Sequence, residues 1–154
     1  MVGAALGVAL VASATLAQAS PLDALRVQVT AVRAAESGPS DPLLVSLRPR
    51  LRRLVGYRAF QIVSREERAC EWRNETRFVL PGDRKLQILP KGVDKDDVVK
   101  LQVRLLEGKR RLVDTNVGVQ NGGTMLFGVG RDPRMGDDAL IIVLKAECPD
   151  GCLR

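Results

Sequence analysis

The sequence predicts an α+β fold that is mainly β: seven or eight mostly antiparallel strands, in one sheet or two layers, with one helix packed on them. Three observations predict it. Runs in which apolar and polar residues alternate recur along most of the chain, as half-buried strands require. Pro42 to about Val55 instead spaces its leucines for a helix. Ala139 to Leu144 is apolar at every position, which fits a strand covered on both faces.

From Met1 to Ala19 there is no charged side chain, and Ala17-Gln18-Ala19 offers small residues where a signal peptidase cleaves. The expectation is an export leader over residues 1–19, a single β-rich domain over 20–147 and a short Cys-containing tail over 148–154. No Lys or Arg precedes the apolar stretch, as signal peptides normally have. An uncleaved membrane anchor is the alternative. Abundant Ala and Gly, and a length close to the lower limit of about 17 residues for a span, argue against that anchor.

Leu25, Val27, Val29 and Ala31 alternate with Arg26, Gln28 and Thr30 in a first strand ending near Ala35. Asp41 followed by Pro42 is a helix start, because Asp caps free N–H groups and Pro suits the first turn. Leu43, Leu44, Leu47, Leu51, Leu54 and Val55 then share a stripe roughly 120° wide, with Pro49 opposite, where it should kink or split the helix. Tyr57 to Arg65 reads as a strand. So does Cys70 to Leu80, with Trp72, Asn74, Thr76 and Phe78 on one face and Glu71, Arg73, Glu75 and Arg77 on the other. After a turn at Pro81-Gly82-Asp83 comes the block Lys85 to Ala146. Its strands are carried by Val99 to Leu105, Val113 to Val119, Met125 to Val129 and Ala139 to Leu144. Gln120-Asn121-Gly122-Gly123 is read as a hairpin turn, since these residues accept positive φ.

Two segments of that block, LQILPKGVDKDDVVKLQV and DTNVGVQNGGTMLFGVG, together with the leading LRVQVTAV, resemble the secretin domain of type II and III secretion proteins. The resemblance covers residues 25–32 and 86–130. Secretins form oligomeric outer-membrane channels, so it implies an envelope setting. Gly128-Val129-Gly130 replaces the family's doubled Gly, and no Pro- and Gly-rich gate segment follows. The implication is therefore a shared hairpin architecture and not a channel, with no functional residue carried over.

Twenty-four Lys and Arg against 18 Asp and Glu give a net charge of +6, and there is no histidine. The first fact favours anionic partners; the second removes His-based triads and His zinc sites. Aromatics at 3% are too few for base-stacking platforms. Arg48, Arg50, Arg52, Arg53 and Arg58 form the densest cationic cluster, read either as a solvated face or as an anion-binding surface for acidic lipid or polysaccharide. No Asn, Gln or Ser lies among these arginines to read base edges.

In an oxidising compartment Cys148 and Cys152 can close a small ring, and a tether from Cys70 to the tail is the alternative. Asp94, Asp96 and Asp97 lack the Gly and distal Glu of a calcium loop and read as a solvated turn. Asp132, Asp137 and Asp138 read as a loop pairing with its own arginines. Asn74-Glu75-Thr76 matches a glycosylation acceptor but falls inside a strand pattern.

The reading is an exported, non-enzymatic binding or assembly component of a bacterial cell envelope, linked to a secretion or pilus system; the alternative is an anion-binding module. A periplasmic or secreted location is expected, with a protein partner of the envelope or a second copy of the chain. No nucleic acid, cofactor, metal or lasting membrane span is expected.

Overall fold

The computed structural model describes residues 24–131, 136 and 138–149. Eight strands form two four-stranded antiparallel sheets. They are β1 (Leu25–Ala35), β2 (Ala59–Cys70), β3 (Thr76–Leu80), β4 (Arg84–Val93), β5 (Val98–Glu107), β6 (Arg110–Gln120), β7 (Thr124–Arg131) and β8 (Ala139–Glu147). A helix, α1 (Arg48–Val55), lies between β1 and β2 in sequence, and the fold is α+β, mainly β.

One sheet has the order β2-β1-β8-β7 and the other β3-β4-β5-β6. Every neighbour is thus consecutive in sequence, with β8 returning beside β1. The architecture is an up-and-down barrel of eight strands split into a sandwich along two seams, β2/β3 and β6/β7, where the ladder is interrupted.

The alternation seen in the sequence supplies the interior. Val27, Val29 and Ala31 of β1 and Leu140, Ile142 and Leu144 of β8 meet Phe78, Leu86, Ile88, Leu101 and Leu105 of the facing sheet, all buried. Each such side chain is worth about 1.5–3 kcal/mol when taken from water. β8 is apolar on both faces because its other side, Ala139, Ile141 and Val143, lies under the helical layer with Phe60, Leu44 and Leu51.

The helix expected over Pro42 to Val55 is two pieces: a 3-10 turn, Pro42–Leu44, capped by the Asp41 carboxylate, and α1, which has Pro49 in its first turn. The break corrects the expected apolar stripe. Leu44 and Leu51 are buried, but Leu43, on the separate turn, is 68% exposed, and Leu54, in the last turn of α1, is 44% exposed.

Two further expectations are corrected. The strand expected from Cys70 to Leu80 begins only at Thr76, since Glu71 to Asn74 forms a turn. Arg73 adopts a positive φ of 64° and its N–H donates to the Pro90 carbonyl, while the Asn74 amide donates to the Glu71 carboxylate. Asn74 is therefore an exposed turn residue and not a strand residue.

The other correction concerns Gln120 to Gly123, which does not close a hairpin. β6 pairs with β5 and β7 pairs with β8, so the chain here passes from one sheet to the other. Asn121 fixes the crossing: its N–H donates to the Asp97 carbonyl of one sheet, and its side-chain oxygen accepts the Cys148 N–H beyond β8. A Cβ on Gly123 would lie 2.7 Å from the Gln120 carbonyl oxygen, so only glycine fits.

Candidate functional site

The two seams differ in chemistry. At β2/β3, a bulge at Val63 shifts β2 so that Glu66 and Arg68 stand on its inward side. Arg68 pairs with Glu66, donates through Nη1 to the Arg77 carbonyl at 2.9 Å and lies over the Phe78 ring. This seam is closed by charge. At β6/β7 no such residue stands, and Val113, Thr115, Val117, Met125 and Phe127 line a slot of about 100 Å³ with Val103 at its floor. A cavity holds one water once it offers roughly 10–15 Å³, so the slot has room for an aliphatic side chain.

An edge strand offers unpaired N–H and C=O groups to another chain unless something blocks it. Three of the four edges here are blocked. β2 is bulged at Val63, β3 is only five residues long and covered by Arg68, and β7 is bulged at Val129 between Gly128 and Gly130. β6 is bulged too, at Leu112, but beyond the bulge it runs from Val113 to Gln120 without interruption. The longest regular edge thus stands directly beside the apolar slot.

The residues singled out in the sequence fall elsewhere. Arg48, Arg50, Arg52 and Arg53 are on α1 and Arg58 lies just past it, but they fan around the helix and meet at no single point. Arg50 is tied to the Thr124 carbonyl at 2.9 Å; Arg52, Arg53 and Arg58 are exposed and form no ion pair among the described residues. Cys148 is disulfide-bonded and Cys70 is a buried free thiol, which excludes the Cys70 tether. Cys152, the expected partner of Cys148, lies outside the described residues.

The Asp94 loop is a turn, as expected: the Asp94 carboxylate accepts the N–H groups of Asp96 and Val98. Asp138 pairs with Arg33 of β1; Asp132, Arg134 and Asp137 lie outside the described residues. Among the described residues no three His, Cys, Asp or Glu side chains are grouped to hold a metal. Nor is any helix among them long and apolar enough to cross a membrane, which leaves strand-built spans unaddressed.

Sequence reasoning missed the β6/β7 slot because it joined these strands as a hairpin. The available signal was the length of β6 without Pro or an inward charge, which marks an edge left open. Comparison with family models, curated proteins and solved structures finds no match to this chain.

Proposed function

We propose that this chain is an exported, non-enzymatic binding or assembly component of a bacterial-type cell envelope, acting beside a secretion or pilus system. Its partner docks on β6 by adding a strand and seating one aliphatic side chain in the slot between β6 and β7. The observation that carries this is the regular stretch of β6 from Val113 to Gln120, at a sheet edge and beside an apolar hollow. Main-chain hydrogen bonds would supply affinity in such a complex, and the slot would supply selectivity. The export-type leader and the secretin-like segments support the envelope setting.

The test is capture of a partner from envelope extract by the wild-type chain and by Thr115→Lys, followed by hydrogen exchange on the recovered complex. Thr115 lines the slot yet is exposed, so the lysine charges the slot without disturbing the core. Loss of capture by the variant, with slowed exchange of β6 amides in the wild-type complex, is expected. Equal capture by both proteins would refute the docking site.

A further inference from the structure

Between Pro42 and Arg58 stand five arginines and no acidic residue, so one short segment carries nearly all of the chain's net charge of +6. The same layer holds three of the most exposed large apolar side chains: Leu43 at 68%, Val45 at 64% and Leu54 at 44%. Leu44, Leu51 and Tyr57, with Leu47 and Val55 half-buried beside them, anchor the layer on β1, β2 and β8, and Leu43, Val45 and Leu54 are not part of that anchor. Arg52, Arg53 and Arg58 make no ion pair among the described residues.

We propose that this helical layer docks on the surface of an anionic bilayer, with Leu43, Val45 and Leu54 entering the headgroup boundary and Arg52, Arg53 and Arg58 engaging lipid phosphates. An acidic polysaccharide would satisfy the arginines but leave the aliphatic side chains in water, and the pairing of the two side-chain classes therefore favours lipid. The layer lies on the outer face of β8 and β7, whereas the partner slot is lined by the inward Met125 and Phe127 of β7, so the two surfaces lie on opposite faces of that strand.

An apolar stretch such as residues 1–19 would itself partition into lipid, so the test must report from the layer. Leu43→Trp in the full chain places a fluorophore at the exposed turn, read as a difference from the parent protein, whose one tryptophan is Trp72. On vesicles containing phosphatidylglycerol, a blue shift and quenching by brominated acyl chains are expected, with neither on phosphatidylcholine alone. Arg52→Gln, Arg53→Gln and Arg58→Gln combined should weaken the shift's apparent partition roughly a hundredfold, at about fivefold per arginine. Raising the salt should act in the same direction. An unshifted difference spectrum from the introduced tryptophan, while the chain sediments with the vesicles, would overturn the proposal, attachment then lying elsewhere. So would a shift induced by an acidic polysaccharide but not by lipid.

Discussion

Arg68 of β2 lies over the ring of Phe78 of β3, its Cζ 5.8 Å from the ring centroid, and donates to the carbonyl of Arg77 next door. One side chain thereby bridges two strands that share no ladder. Arg68→Ala should lower unfolding stability by about 1–2 kcal/mol, from a lost charged hydrogen bond and a lost cation–π contact, both partly solvated. Chemical denaturation measures it, and native-state hydrogen exchange should show β3 opening before β4. Uniform exchange across both strands would count against the bridge.

Arg84 is 5% exposed on the inward face of β4 and pairs with Glu107 of β5 at 3.0 Å. Glu107→Ala takes one partner from the buried guanidinium; losing a buried pair outright usually costs about 3–5 kcal/mol, and the other interactions of Arg84 keep the cost below that. Because the Glu107 side chain is 29% exposed, water offsets part of this and about 2 kcal/mol is expected. Arg84→Met with Glu107→Leu should recover most of the loss, and a urea titration of the double variant decides it.

The Asp94 carboxyl is held below its ordinary value of 3.8, first by the Val98 N–H and then by the Asp96 N–H and Lys100. Asp114 is likewise lowered, first by the Gln102 amide and then by Arg104 and Arg111. A carboxyl with a depressed folded pKa contributes stability that is fully present above 3.8 and lost as pH falls through the folded value. The melting temperature should therefore hold from neutral pH to about 4.5 and drop below about 4. Asp94→Asn and Asp114→Asn should each shallow that acid limb while leaving the bases' charges untouched.

Burial raises the Cys70 thiol above its ordinary 9.0, opposed by a hydrogen bond with Thr76 and the Arg68 charge. The thiol is thus protonated and shielded at neutral pH. Iodoacetamide followed by peptide mapping should find Cys70 unmodified in the folded chain and modified in denaturant. Rapid native labelling would contradict the buried placement.

Most strands were legible in the sequence because their two faces meet different media. Val99 to Leu105 and Val113 to Val119 alternate strictly since one side of that sheet is core and the other water. What alternation does not encode is which strand pairs with which. Gln120 to Gly123 has the composition of a hairpin turn, yet the bonds from Asn121 to Asp97 and Cys148 turn it into a crossing. Glu71 to Asn74 continued the alternation by chance, and only the positive φ at Arg73, a residue not marked for it, ends the pairing. The free edge beside the slot was illegible for the same reason: an edge is defined by a missing neighbour.

Since Arg26 stands opposite Glu147, the chain enters and leaves its sheet at the same end. A ribosome that has made Gln120 has finished one sheet, whereas β1 must wait for β8 to fill the place beside it. Until then the β2-β1 pair lacks its neighbour, and a premature stop before Ala139 would leave the first strand without its central companion.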